Sequence, residues 1–219
     1  MIPTPPAASA KQARDQRVFD AVRELLSVQG LQLSMDAVAA QAGCSKQTLY
    51  SRYGSKRDLL RQVMHQHALI TAAPLSTAEG QPLRAILLDF AIGYLEHRNQ
   101  PHVAQTSQLI VSSAHEFRHE AQTLYQGSAG SLLGHLVDWI EIQIDRGRLI
   151  HDDPHFMAEL LLSMIAGLDF DRQRFHAPHR DDEPSRRRWA EFSIDCFLRA
   201  FMPDSGMAPN TNTLRSFPR

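Results

Sequence analysis

The 219-residue sequence predicts an all-α protein. Apolar residues recur at helical spacing along most of the chain, and no run of alternating apolar and polar residues is bounded by hairpin turns. Helix-start signals (Ser, Asp) and helix-stop signals (Gly, Pro) divide the periodic stretches into separate segments. Together, the periodicity and the caps favour a domain built from short and medium-length helices.

Four helices are predicted in the first third of the chain, each beginning at a capping serine. They run from Ser9 to Gly30, from Ser34 to Gly43, from Ser45 to Gly54, and from Ser55 to the linker AAPLSTAEGQP, which begins at residue 72. A glycine ends each of the first three because it tolerates a positive φ. The second and third helices are short, and small residues between them, Ala39 and Ala42, allow the two to pack closely.

Six further helices are predicted after the linker. They run from Pro82 to the break at 99–101, from Pro101 to His115, from Phe117 to Tyr125, from Ser128 to Arg146, over residues 154–170 and over residues 186–202. The penultimate helix follows Asp152, Asp153 and Pro154, and the last begins near Glu183. The polar stretch 173–183 is predicted to be a loop, and residues 1–8 and 203–219 are predicted to be disordered tails.

Charge is distributed unevenly along the chain. The net charge is −1, but the first 61 residues hold nine Lys or Arg against five Asp or Glu, a net charge of +4 that leaves −5 for the remainder. All three lysines lie in this N-terminal part. A basic segment joined to an acidic remainder indicates two functions in one chain, the first involving nucleic acid.

Other classes of protein are disfavoured by composition. No apolar run approaches the roughly 20 residues that span a bilayer, and the first residues lack the basic and apolar regions of a secretory signal. Cys44 and Cys196 are far apart and have no CxxC spacing, so neither a disulfide scaffold nor a metal site is indicated. We therefore expect a cytoplasmic protein without membrane association and without a cofactor.

The segment SMDAVAAQAGCSKQTLYSRY, residues 34–53, is the most informative. A short helix, a turn at Gly43 and a second short helix are typical of a helix-turn-helix, in which the second helix enters the major groove of DNA. The exposed face of that helix offers hydrogen-bonding groups and cations, as base and phosphate contacts require. Its members are Ser45, Lys46, Gln47, Thr48, Tyr50, Ser51 and Arg52.

The wider stretch GLQLSMDAVAAQAGCSKQTLYSRYGSKRDLL resembles the DNA-binding domain of the tetracycline-repressor (TetR) family of bacterial regulators. The resemblance includes the triplet Thr48-Leu49-Tyr50, the aromatic Tyr53 and the pair Ser55-Lys56. It implies a DNA-binding domain over residues 9–62, with the motif at about 34–53, and a helical effector-binding and dimerisation domain over residues 63–202.

The same resemblance implies a set of DNA contacts. Thr48 and Tyr50 would touch phosphates, with Tyr50 also near base edges, and Lys56 would hold a phosphate at the first turn of the fourth helix. The residues expected to bind DNA are Arg14, Ser34, Lys46, Gln47, Thr48, Tyr50, Arg52 and Lys56. The expected DNA partner is a pseudo-palindromic duplex read by a homodimer.

Beyond residue 72 the chain is similar to AefR-like members of the family, with Glu116-Phe117 and then DRGRLIHDDP before a helix. This similarity implies a domain that dimerises and takes a small-molecule effector. The effector-binding candidates are Phe90, Tyr94, His115 and Trp139. The dimer-interface candidates, on the last two long helices, are Phe156, Leu160, Met164, Trp189 and Phe197.

These resemblances imply a dimeric repressor that a small-molecule effector releases from its operator. Two alternatives to this function remain. His115, Glu116 and His119 match H-E-x-x-H, which on one helix would place two imidazoles for zinc and a carboxylate as general base in a hydrolase. The other alternative is a DNA-binding regulator that takes no ligand or that activates transcription. We expect the repressor, with no catalytic residue and no metal.

Overall fold

The computed structural model describes residues 7–76, 80–177 and 179–203, and every regular element in these ranges is helical, which confirms the all-α prediction. The elements are α1 (Ala7–Gln29), a 3₁₀ turn (Gly30–Gln32), α2 (Met35–Ala42), α3 (Lys46–Tyr53), α4 (Lys56–Ser76), α5 (Leu83–Arg98), α6 (Pro101–Ser113), α7 (Arg118–Tyr125), a π turn (Gln126–Gly130), α8 (Ser131–Asp145), α9 (Pro154–Ala166), α10 (Asp169–Arg174) and α11 (Glu183–Phe201). None of these helices is both long and apolar enough to cross a bilayer.

Most predicted helix starts are confirmed because the capping side chains accept hydrogen bonds from orphan backbone N–H groups. Ser34 accepts from Ala37 and Asp153 accepts from His155 and Phe156. One cap is wrong, since α1 begins at Ala7 and Ser9 lies inside the helix. The disorder predicted for residues 1–8 and 203–219 falls largely on residues outside the described ranges.

Three predicted boundaries differ from the structure. Helix α4 does not end at residue 72 but continues to Ser76 through Pro74, because Ala72 and Leu75 are buried in the core. The π turn joins α7 directly to α8 where a break was predicted at Ser128. Helix α10 was not predicted from the sequence. It extends to Arg174 and therefore includes the first two residues of the loop predicted over 173–183.

Two apolar cores divide the molecule, and α4 belongs to both. Leu59, Leu60 and Val63 of α4 pack with α1–α3 in a first core, whereas Ala68 and Leu75 pack with α5, α8, α9 and α11 in a second core. We call residues 7–63 the head and residues 64–203, where described, the body. A movement of α4 therefore affects both cores, which are each close-packed.

Two helices of the body also rest on the head. Leu124 of α7 is buried in the head core, with Ile110 of α6 and Phe117 packed against it. Gly127 in the π turn makes a close approach possible: a Cβ there would lie 2.9 Å from the Cβ of Met64 and 3.2 Å from the carbonyl oxygen of Arg61. The α6–α7 segment is thus a direct mechanical contact between body and head.

Candidate nucleic-acid interface

Helices α2 and α3 form the predicted helix-turn-helix. Gly43 takes φ +65° at the end of α2 and donates its N–H to the Ala40 carbonyl, while the N–H of Cys44 reaches Ala39 at 3.0 Å. Such a left-handed cap suits glycine because a Cβ would be strained there. The chain then turns into α3, whose N-cap Ser45 accepts from the N–H of Thr48 at 3.1 Å.

The orientation of α3 is set by its buried side. Leu49 and Tyr53 are almost fully enclosed in the head core, and the Tyr53 ring lies 6.0 Å from that of Phe19 on α1. The opposite side is open to solvent, with 46% of Tyr50 exposed. The exposed side chains of α3 are Lys46, Gln47, Thr48, Tyr50 and Ser51. The structure therefore brings four of the eight predicted DNA contacts together on one face.

Arg52 is held differently, through a carboxylate that the sequence did not single out. Asp15 on α1 forms an ion pair with Arg52 and accepts a hydrogen bond from the hydroxyl of Tyr53. Burial of Asp15 opposes ionisation, but the hydrogen bonds from Arg52 and Tyr53 outweigh it and lower the pKa of Asp15. Since Asp15 lies 37 residues before Arg52, no local sequence pattern could reveal the pair.

Lys56 also has a partner within the protein. Its Nζ donates to the carbonyl oxygen of Leu31 at 2.8 Å and lies 4.0 Å from Oε1 of Glu120 on α7. Burial lowers the pKa of Lys56, and the Glu120 carboxylate partly opposes that effect. The ammonium has three N–H donors, so a phosphate contact is compatible with the bond to Leu31, and Lys56 in this conformation joins the head to α7.

The remaining predicted contacts lie around α3. Lys46 pairs with Asp36 of α2 at 2.8 Å, and both side chains are well exposed. The Ser34 oxygen caps α2 while its hydroxyl proton stays available for donation. Arg14 is exposed on α1. These groups and the α3 face can donate hydrogen bonds to phosphates and base edges.

The H-E-x-x-H match does not form a zinc site of the expected kind. His115 and Glu116 lie in the turn after α6, whereas His119 lies in the first turn of α7, so the two histidines do not share a helix face. Among the described residues, no group of three or more His, Cys, Asp or Glu is placed to hold a metal ion. The geometry does not favour the hydrolase alternative.

The four effector-binding candidates do not line a common cavity. Phe90 and Trp139 are buried in the body core and His115 is exposed in a turn. Tyr94 alone among them lines a cavity of about 210 Å³ between α1, α4, α5, α6 and α8. The sequence missed the other polar residues of this cavity, although His67 on the otherwise apolar face of α4 was a signal.

The interface candidates differ in accessibility. Phe156 is 69% exposed on α9, Leu160 lies one turn further along, and Met164 and Trp189 are partly exposed. Phe197 is fully buried in the core of its own protomer, so its assignment to an interface is wrong. Phe192 of α11, 57% exposed and 5.9 Å from the Trp189 ring, lies on the exposed side instead.

Family models match both parts of the chain. Residues 18–63 match the model for bacterial regulatory proteins of the tetR family, and residues 85–203 match the model for the C-terminal domain of AefR-like transcriptional repressors. None of the curated proteins compared with the chain matches it. The two matches agree with the resemblances inferred from the sequence.

Solved structures with the same fold cover most of the chain. A protein from Mesorhizobium loti assigned to the TetR family of transcriptional regulators is 21% identical, with a TM-score of 0.69 over 88% of this chain and 98% of that one. The flavonoid-responsive regulator FrrA is 25% identical, with a TM-score of 0.67 over the same shares. A TetR-family regulator from Pseudomonas syringae pv. tomato is 22% identical, with a TM-score of 0.61 over 85% and 96%.

The Asp15 cluster predicts a pH-dependent contribution to stability. Because the folded-state pKa of Asp15 is lowered, its stabilisation is present above the ordinary value of 3.8 and is lost as pH falls through the folded-state value. Asp15→Asn should reduce the free energy of unfolding at pH 7 by about 1 kcal/mol, since it weakens charge-assisted hydrogen bonds. Urea unfolding of both proteins between pH 7 and pH 3 measures the difference.

Asp20→Asn is the matched control, because Asp20 is an α1 carboxylate that pairs with Arg23 in a more exposed position. Its effect at pH 7 should stay below about 0.5 kcal/mol. A difference between the wild type and Asp15→Asn that does not shrink as the pH falls contradicts the assignment of Asp15.

Proposed function

Because the chain belongs to the tetR family of bacterial regulatory proteins and is a DNA-binding transcriptional regulator, we propose that it acts as a homodimeric repressor released from its operator by a small molecule. The observation that carries the proposal is the exposed face of α3, which projects polar side chains from a helix anchored on its opposite side. No catalytic step is part of this function.

Helix α3 is suited to the major groove. That groove is about 12 Å wide in B-DNA and admits one α-helix, whose side chains then reach base edges. Gln47 supplies an amide that can pair with a base, Lys46 a cation, and Tyr50 a ring with a terminal hydroxyl. Thr48 shares a hydrogen bond of 2.8 Å with Ser45, so its hydroxyl is oriented before any DNA contact forms. We assign base reading to Gln47 and Tyr50.

Phosphate contacts belong to the groups that flank α3. Ser34 and Arg14 lie exposed on neighbouring helices and can donate to the DNA backbone. Arg52 keeps other N–H groups for a phosphate while one remains on Asp15. Lys56 can add its charge and a further N–H group while it stays bonded to Leu31. The net charge of +4 over residues 1–61 attracts DNA to this part of the molecule.

A dimer follows from the needs of recognition and from exposed apolar surface. A single small helix-turn-helix buries little DNA surface, and two copies read half-sites one or more helical turns apart. Exposed Phe156 and Leu160 on α9 and Phe192 on α11 supply apolar side chains that a second copy can cover. We propose that α9 and α11 of two protomers form the interface.

The effector is proposed to act on the contact between body and head. FrrA, at 25% identity, is named as responsive to a flavonoid, which supports an organic small molecule as the type of signal. A ligand changes DNA affinity only if it binds one conformer better than the other. A molecule bound beside α4 and α6 meets this condition when these helices, both in contact with the head, are placed differently in the two conformers.

The DNA-binding proposal is tested with Thr48→Ala combined with Tyr50→Ala. Both side chains are exposed, so the head should stay folded, and losing their DNA contacts should weaken operator binding about 100-fold. The operator is first selected from random duplexes with the wild-type protein, and affinity is then measured by fluorescence anisotropy. Tyr125→Ala, an exposed tyrosine of α7, should bind normally. Retained specific binding by the double variant contradicts the assignment.

The interface proposal is tested with Phe156→Asp combined with Phe192→Asp. Two carboxylates on the apolar face of each protomer should prevent association, because burying unpaired charge is costly. Analytical ultracentrifugation should show a monomer for this variant and a dimer for both the wild type and Tyr125→Asp. A double variant that stays dimeric places the interface elsewhere.

A further inference from the structure

The cavity of about 210 Å³ lies where the head meets the body. Arg23 and Leu26 of α1 contribute to it from the head, while residues of α4, α5, α6 and α8 line its other sides. A molecule bound here therefore contacts both cores at once. The chemistry of the lining residues indicates what kind of molecule that is.

The polar part of the cavity is basic. Its lining includes five basic side chains and, among the residues that the structure describes, no Asp or Glu. The five, which we call the basic cluster, are Arg23, His67, His97, Arg98 and His102. Arg23 and Arg98 supply the positive charge of this set, and without a lining carboxylate in the described part of the chain they favour an anion.

Two histidines form the centre of the basic cluster. The rings of His67 and His97 lie 3.8 Å apart between centroids, and Nε2 of His67 is buried with no hydrogen-bond partner in the described structure. Burial lowers the pKa of both imidazoles. The nearby charge of Arg23 lowers the pKa of His67 further, and His67 and Arg98 lower the pKa of His97 further. Both imidazoles are thus neutral at pH 7, and a buried ring nitrogen remains available for a ligand.

The two arginines keep positive charge at the site. Arg98 lies over the Phe170 ring at 4.3 Å and 5.9 Å from the Tyr94 ring, and among the described residues that line the cavity with it there is no carboxylate. Arg23 pairs with Asp20 at 2.6 Å, but both side chains are partly exposed, and the guanidinium has donors left. A carboxylate in the cavity can accept two parallel hydrogen bonds from a guanidinium such as Arg98.

Apart from the basic cluster and five side chains that carry hydroxyl groups, the cavity is apolar and small; the five are Thr71, Tyr94, Thr106, Ser107 and Ser128. Its walls include Leu26, Val63, Met64, Val103, Ile110 and Leu132. An engineered apolar cavity of about 150 Å³ holds benzene, and drug-sized sites run from about 300 to 1,000 Å³. The volume here suits one aromatic ring or a short branched chain attached to an acidic group.

We propose that the effector of this protein is a small organic acid, with its carboxylate or ionised phenol at the basic cluster and its apolar part among the cavity walls. This inference rests on the effector-controlled function proposed above. Helix α6 transmits the binding event. None of the residues of α6 is fully buried. Its Leu109 nevertheless packs closely against Gly30 of the head, because a Cβ added to Gly30 would lie 3.4 Å from the Cβ of Leu109.

The test compares acids with their neutral amides on the full-length protein by isothermal titration calorimetry. Benzoate, phenylacetate and 3-methylbutanoate are each paired with the amide of the same shape. At least one acid should bind about tenfold or more tightly than its amide, because only the acid forms charge-assisted hydrogen bonds. If no acid binds more tightly than its amide, the inference is overturned.

Arg98→Gln should reduce the affinity for that acid to the level of its amide. Arg146→Gln removes the same charge from an exposed site outside the cavity and should leave acid binding unchanged. Circular dichroism checks that each variant is folded. If Arg98→Gln does not fold, Arg23→Gln takes its place as the cavity variant. Equal loss in the control, or no loss in the cavity variant, overturns the inference.

DNA affinity is measured on the same samples with and without the acid. The acid should weaken operator binding by wild type and by Arg146→Gln but not by Arg98→Gln. Acid binding that leaves DNA affinity unchanged overturns the effector assignment alone. Failure of the unliganded protein to bind any selected duplex overturns the proposed function instead, so the two failures are distinguishable.

Discussion

Anchoring of α3 by its buried side is the constraint on which the rest of the structure depends. Leu49 and Tyr53 are enclosed in the head core, and burying a side chain of this size contributes about 1.5 to 3 kcal/mol. Asp15 adds an ion pair to Arg52 and a hydrogen bond from Tyr53, which together fix α3 against α1. The exposed face owes its direction to these contacts, and a DNA-reading helix needs a fixed direction before it meets its groove.

The same anchoring provides a route by which a ligand bound in the distant cavity can affect the exposed face of α3. Helix α1 supports α3 through Asp15, and its Arg23 lines the cavity of about 210 Å³. Helix α4 runs from the head core into the body core. Lys56 adds a bond from the start of α4 to Leu31 and approaches Glu120 of α7. In the proposed function, a shift of α6 or α4 on ligand binding is passed to α1 and so to α3, because close-packed elements move as units.

The sequence predicted what is determined locally. Ser34, Ser45 and Asp153 cap helices where expected, and Gly43 ends α2, because each satisfies backbone groups within a few residues. The continuation of α4 through Pro74 depends on burial of Leu75, which only the tertiary structure determines. The Asp15–Arg52 pair, the burial of Phe197 and the grouping of His67 with His97 also join distant segments, so no local pattern contained them.

If the basic head binds DNA through phosphates while α3 reads the bases, operator binding must depend steeply on salt, and a salt titration measures this dependence most directly. Neutralising each phosphate contributes about −0.9 to the slope of log K against log salt concentration. A dimer that makes six or more phosphate contacts should lose about 1,000-fold in affinity between roughly 50 and 200 mM salt. An affinity that stays nearly constant over this range would contradict the account.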